Sequence, residues 1–182
     1  LAKNEEKNIE LAIRSVDFCD EIIVIDDYSE DRTVENAKKH GVIVYTRKLN
    51  NDFASQRNYG MEMARGLWIL FIDADEQVTK ELADEIKNSI HDDSKSFINA
   101  YYIKRRDIFW GRELRYGEAG NMRLVRLLRK KSGVWKGTVH EQLDISQKSK
   151  VKSLKSPLFH YPHQSIAEFL SEVNMYSSIR AR

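Results

Sequence analysis

The chain has 182 residues, of which 41% are hydrophobic and 32% charged, and its formal net charge is +2. This length and apolar content suit one domain with a real core and exclude a disordered chain. The near balance of charge gives no electrostatic reason to expect a nucleic-acid partner. The greasiest stretch, Leu67 to Ile72, is far too short to span a bilayer, and no secretory pattern is evident. A single cysteine, Cys19, excludes an internal disulfide and a thiolate metal cluster and fits a reducing compartment. The chain starts at Leu1 without an initiator Met and stops at Arg182 inside a helical pattern, which predicts that both ends are cut.

Taken in chain order, the first half alternates helix and strand patterns. Asn8 to Val16 carries Ile9, Leu11, Ala12, Ile13 and Val16 and predicts a helix packed on one side. Glu21 to Asp26 is a continuous β-branched run, as expected of a buried parallel strand. A helix over Asp31 to Lys39 follows, with Asp31 as its cap, then a strand over Val42 to Tyr45. Asn51 to Ala64 reads as a loop running into a helix stopped by Gly66, Leu67 to Ile72 as a third buried strand, and Thr79 to Ile90 as an amphipathic helix capped by Thr79. This rhythm predicts an α/β fold with a mostly parallel sheet, whose ligands bind beyond the carboxyl ends of the strands. Asp26, Asp27, Asp73 and Asp75 all fall at such ends.

The second half changes character. Ala100 to Ile108, Met122 to Leu128 and Val134 to Leu143 read as antiparallel strands and loops, and Ser165 to Arg182 as a terminal helix with Ile166, Phe169, Leu170, Val173 and Tyr176 on one stripe. The expected organisation is one domain of two halves, residues 1–98 and 99–182.

Four clusters carry chemistry. Asp73-Ala74-Asp75 puts two carboxylates two residues apart, facing one way on an extended segment, where they can share Mg²⁺ or Mn²⁺ and leave positions for phosphate oxygens. Such a triplet is also an ordinary acidic turn; the buried strand before it is what points to an ion. Asp26 and Asp27 can accept from a ribose hydroxyl or a base N–H, or else help cap the following helix. Arg57, in Ala54-Ser55-Gln56-Arg57-Asn58 at a helix start, suits an anionic or nucleotide partner, or is a solvated surface arginine. In the segment Trp135 to Glu141, His140 and Glu141 form a pair that can supply a general base, and His160 is a candidate metal or phosphate ligand.

In order, Ala2-Lys3-Asn4-Glu5-Glu6, EIIVIDDYSEDRT (Glu21 to Thr33), ASQRNYG (Ala54 to Gly60) and WILFIDADE (Trp68 to Glu76) resemble the family 2 glycosyltransferases of GT-A fold. GVWKGTVHEQL (Gly133 to Leu143) and PLFHYPHQSIAEFL (Pro157 to Leu170) look like the subgroup that includes lipopolysaccharide core β-1,4-glucosyltransferases. The resemblance covers nearly the whole chain. It implies a Rossmann-like mixed sheet flanked by helices, with a first strand that should precede Ala2 and is largely missing. It places Ala2, Asn4, Glu5, Asp26, Asp27 and Arg57 about the nucleotide. It makes Asp73 and Asp75 a DxD motif, with Asp75 the more direct metal ligand and Asp73 shared between metal and donor, and Glu141 the catalytic base of an inverting transfer.

The expected reaction is transfer of a hexose, glucose from UDP-glucose, to a saccharide or glycolipid acceptor. Arg123 and Arg126 are expected to hold phosphate or an anionic acceptor. The expected setting is the bacterial cytoplasm at the inner face of the inner membrane. The apolar stripe of the last helix and the basic residues Lys148, Lys150, Lys152, Lys155, Arg180 and Arg182 are candidates for peripheral membrane contact. Two other readings stand beside this one. The first is a receiver-like Mg²⁺-binding signalling domain, which the absence of any proline before Pro157 disfavours. The second is an inactive family member that binds nucleotide sugar.

Overall fold

The computed structural model describes residues 1–92, 97–116, 122–137, 141–145, 150–162 and 174. Apart from Asn174, the terminal helix expected from Ser165 lies outside these residues, as do His140, Lys148, Arg180 and Arg182. The first half comprises α1 (Ile9–Ser15), β1 (Ile23–Asp26), α2 (Thr33–Lys39), β2 (Ile43–Thr46), α3 (Phe53–Met63), β3 (Trp68–Leu70), β4 (Glu76–Val78) and α4 (Lys80–Asp92). The second comprises β5 (Ile98–Phe109), β6 (Arg112–Glu113), β7 (Arg123–Arg129), β8 (Gly133–Lys136), β9 (Gln142–Ile145) and β10 (Lys150–His160).

The β-branched run after Glu21 forms β1, which pairs in parallel with β2. Ala2 extends this ladder by a one-residue parallel bridge to Asp26, its N–H donating to Ile25 and its carbonyl accepting from Asp27. Leu1 reaches across to the other side, where its nitrogen donates to the Ile72 carbonyl (3.4 Å) and its carbonyl accepts from Ala74. Between β1 and β3, below that bridge, lies a cavity of about 920 Å³ lined by apolar groups including Ile13, Val24, Trp68, Leu70 and Ile72.

The larger sheet runs β3-β7-β5-β10-β4, with β6 added to β5. Here the structure departs from the parallel expectation. β3 is three residues long and pairs antiparallel with β7 rather than in parallel with β1. β4 and β10, absent from the sequence reading, close the far edge. β10 runs parallel to β5 and antiparallel to β4. Pro157 explains why β10 escapes a simple pattern: the β5 ladder shifts register between Ser153 and Pro157, where the Glu85 carboxylate accepts from the Lys155 and Ser156 N–H groups (both 2.8 Å). Val134 to Leu143, expected among antiparallel strands and loops, contributes to β8 and β9, which pair antiparallel and only with each other among the described residues.

The α4 face built from Leu82, Ala83 and Ile86 covers Tyr101, Ile103, Leu127, Leu154 and Leu158 of the sheet. Thr79 caps α4 as expected, accepting from the Leu82 N–H (3.1 Å). Asp31 stands two residues before α2 rather than at its cap, yet still accepts from the Thr33 N–H (2.9 Å). No helix among the described residues is long and apolar enough to cross a membrane.

Candidate active site at the sheet edge

Arg57 is the centre of the site. It lies in the second turn of α3, whose cap Asp52 accepts from the Ser55 N–H (2.8 Å). Its residue is 5% exposed. The Nη2 group donates to both Asp73 oxygens (3.0 and 3.1 Å), Nε donates to Glu141 Oε1 (2.9 Å), and the guanidinium lies 5.1 Å from the centre of the Trp135 ring. Burial works against its charge, but Asp73 and then Glu141 outweigh burial and raise its pKa. Arg57 is therefore not a solvated surface residue.

Arg126 supplies a second cation. The β5–β7 ladder shifts between Tyr101 and Tyr102, so that Arg126 has no partner in the register. Its Nη2 donates to Asp73 Oδ2 (3.0 Å) and to the buried Glu76 Oε1 (2.8 Å), and the other Glu76 oxygen accepts from the Asp73 N–H (2.9 Å). Burial pushes the Asp73 carboxyl up, but Arg57 and Arg126 overcome it and hold it well below the usual carboxylate range. Burial raises Glu76 against the pull of Arg126, with Asp73 adding to the rise. Arg123, expected beside Arg126, is instead exposed on β7 opposite Lys104.

The two acids of Asp73-Ala74-Asp75 do not face one way. The chain turns at Ala74 and Asp75, so Asp73 meets the arginines while Asp75 meets β10. The β10 register sets His160 opposite Asp107 on one side and Glu76 on the other. The His160 ring is held by Asp107 Oδ1 at Nδ1 (2.8 Å) and by Asp75 Oδ2 at Nε2 (3.1 Å). Burial lowers the His160 pKa, but the hydrogen bonds to Asp107 and Asp75 prevail and raise it to about 9. Asp107 is raised by burial but lowered more by His160 and by Arg105, which pairs with it at 3.2 Å.

The donor set at Asp75 and His160 suits a hard or borderline divalent ion. One carboxylate oxygen and one imidazole nitrogen converge, and Asp107 behind the ring is the kind of partner that fixes the tautomer of a metal-ligating histidine. No group of three or more His, Cys, Asp or Glu side chains placed to hold a metal ion occurs among the described residues.

The remaining candidates form a loop layer beyond β1. Asn4, with φ of 55°, donates its N–H to Ser29 Oγ (2.9 Å) and accepts from Glu30, while the Glu5 N–H donates to Thr33 Oγ1 (2.6 Å). Asp26 is buried; Oδ2 accepts from the Ser29 N–H (3.0 Å), and Oδ1 has no partner among the described residues. Asp27 accepts from the Leu49 N–H (2.9 Å). Sequence reasoning missed the parts played by Asp107, Glu76 and Asn58. Glu76 and Asn58 stand inside motifs without a role of their own, and Asp107 is visible only as a lone acid within the aromatic and basic run Tyr101 to Trp110.

A mixed sheet flanked by helices, with the acids after β3 gathered against arginines of α3 and β7, has the architecture of the GT-A class. S. aureus TarS (residues 1–349) has the same fold, with a TM-score of 0.64 at 16% identity over 88% of this chain and 58% of that one. The pattern of glycosyl transferase family 2 matches residues 1–151, and the chain belongs to that family, which sets aside the receiver reading. It is 31% identical over 191 residues to an uncharacterized glycosyltransferase of Rickettsia typhi, covering 100% of this chain and 65% of the relative's length. A shorter match, 44% identical over 81 residues, joins 43% of this chain to 19% of the glycosyltransferase SunS of Bacillus subtilis. TarS in complex with UDP aligns at a TM-score of 0.50 and 25% identity, over 62% of this chain and 36% of that one.

The geometry predicts that the His160 ring of the metal-free protein titrates near 9, and that Asp107→Asn lowers this value by removing the largest raising contact. An NMR titration of the imidazole checks it; a midpoint near 6.5, the ordinary histidine value, contradicts the double carboxylate contact.

Proposed function

We propose that the chain is the catalytic part of an inverting glycosyltransferase that transfers a hexose, glucose from UDP-glucose in the first instance, to a saccharide or glycolipid acceptor such as lipopolysaccharide core. The observation that carries this reading is Arg57 bridging Asp73 and Glu141, which joins an acid of the donor motif to an acid suited to proton removal. Family membership and the likeness to UDP-bound TarS support a UDP-sugar donor. The unpartnered Asp26 oxygen, in the loop layer with Asn4, Glu5 and Asp27, supports nucleotide recognition there.

In this reading Glu141 takes the proton of the acceptor hydroxyl while that oxygen bonds to the anomeric carbon. The bond from that carbon to the diphosphate breaks, and UDP leaves with its electron pair from the opposite face, so an α-linked donor gives a β-linkage. Asp75 and His160 would hold Mg²⁺ or Mn²⁺, which supplies positive charge against the departing diphosphate. Asp73, neutralised by Arg57 and Arg126, keeps both arginines beside the leaving group. The second half, from residue 99, provides the acceptor side.

Glu141→Gln is expected to slow UDP release from UDP-glucose roughly hundred- to ten-thousandfold, with UDP affinity unchanged; turnover at the wild-type rate contradicts the base. Asp75→Ala is expected to abolish the strengthening of UDP binding by Mn²⁺ in calorimetry. An Asp75→Ala chain whose UDP affinity still responds to Mn²⁺ contradicts the metal assignment.

A further inference from the structure

We infer that Asn58 is a positioning residue for Glu141, and that the Arg57-Asn58 pair is the seat on which the β8–β9 hairpin is mounted. The proposal rests on the reading of Glu141 as the base and explains how a base on such a small element is held in place.

The hairpin needs a seat. β8 and β9 pair only with each other among the described residues, and a two-stranded hairpin is marginally stable alone. Its apolar side, Trp135 with Leu143 and Ile145, packs against Ala54 of α3, Phe71 and Leu128. Its strands approach so closely that a Cβ on Gly133 would stand 2.8 Å from the Asp144 carbonyl oxygen. Apolar packing resists separation, but it fixes sliding along the surface poorly because it is non-directional.

Directional contacts supply the register. The Asn58 side-chain amide donates through Nδ2 to the Trp135 carbonyl (2.9 Å), and its Oδ1 accepts from the Trp135 N–H (2.9 Å). Two opposed hydrogen bonds from one planar amide fix both the height and the tilt of the strand at that residue. The adjacent residue on α3, Arg57, faces the Trp135 ring and reaches Glu141 just before β9. The Trp135 ring also packs edge-on against Phe71, 5.2 Å between centres. Trp135 within β8 and Glu141 just before β9 are thereby tied to consecutive residues of one helix. That helix is itself seated, with Gly60 approaching the Ile25 side chain of β1 so closely that a Cβ would lie 3.3 Å from it.

Among the described residues Asn58 makes no hydrogen bond or ion pair with Asp73, Asp75 or His160, so its influence on the reaction runs through the position of Glu141. A displacement of about 1 Å in a catalytic group costs roughly a hundredfold in rate. Asn58→Ala is therefore expected to lower kcat for UDP-glucose turnover roughly ten- to hundredfold while leaving UDP affinity unchanged. Asn58→Asp keeps the acceptor half of the clamp and is expected to fall between Asn58→Ala and the wild type.

The decisive experiment is a double-variant cycle with Glu141→Gln, combined with hydrogen exchange at the amides of Trp135, Gln142 and Leu143. If Asn58 acts through Glu141, Asn58→Ala slows the wild-type background but adds no loss in the Glu141→Gln background. Exchange at the three amides, which needs no substrate, rises in Asn58→Ala while exchange in β5 and β7 is unchanged. An equal loss in both backgrounds overturns the positioning role, and so does unchanged exchange at the three amides or an Asn58→Ala chain at the wild-type rate. If Glu141→Gln turns over normally, it is the base reading that falls, whatever Asn58→Ala does. Should Asn58→Ala fail to fold, the same cycle and exchange are read on Asn58→Asp.

Discussion

The arrangement depends on one buried cation. Arg57 is withdrawn from water on α3, and a withdrawn charge is tolerable only if ionised partners with good geometry come with it. Asp73 and Glu141 are those partners, and they arrive from parts of the chain 16 residues downstream and 84 residues downstream. The need to pair one guanidinium thus draws together a helix, the segment after β3 and the β8–β9 hairpin. Leaving the two carboxylates without it would cost about 3–5 kcal/mol, the usual penalty for breaking a buried pair. Arg126 and Glu76 form a second tier beneath, which keeps Asp73 ionised although it is partly withdrawn from water.

The sheet does the remaining alignment. β10 lies between β5 and β4, and its last residue, His160, is thereby set between Asp107 and the Asp75 turn. The Tyr161 N–H donating to the Asp75 carbonyl (2.8 Å) fixes the turn to the strand end. The turn at Ala74 divides the two acids of the motif between two tasks: one faces arginines, the other faces a histidine. The Asp75–His160 pair and the arginines about Asp73 then lie side by side, the arrangement that the proposed transfer asks for at a diphosphate leaving group.

The sequence shows clearly whatever is local. The β-branched run of β1 with Asp26 at its end, and the apolar face of α4 with its Thr79 cap, are visible because period and capping chemistry act within a few residues. β10 is not visible, since Pro157 and a register shift break its pattern and its pairing is with residues some 50 and 80 positions away. The divergence of Asp73 and Asp75 is hidden for a related reason: two residues apart means one direction only if the backbone is extended, and here it turns. Arg57 and Arg126 read as ligands for phosphate because nothing in the sequence tells that their charges are already met by Asp73, Glu141 and Glu76. The parts played by Asp107 and Asn58 come entirely from tertiary contacts.

The central claim is that Arg57 joins Asp73 to Glu141 while a separate pair, Asp75 and His160, receives the ion. A crystal structure of the chain soaked with UDP and Mn²⁺ tests it most directly. The account predicts anomalous Mn²⁺ density against Asp75 and His160, with Arg57 still between Asp73 and Glu141 and the diphosphate beside it. Mn²⁺ bound through Asp73, with Arg57 swung away from Glu141, would contradict it.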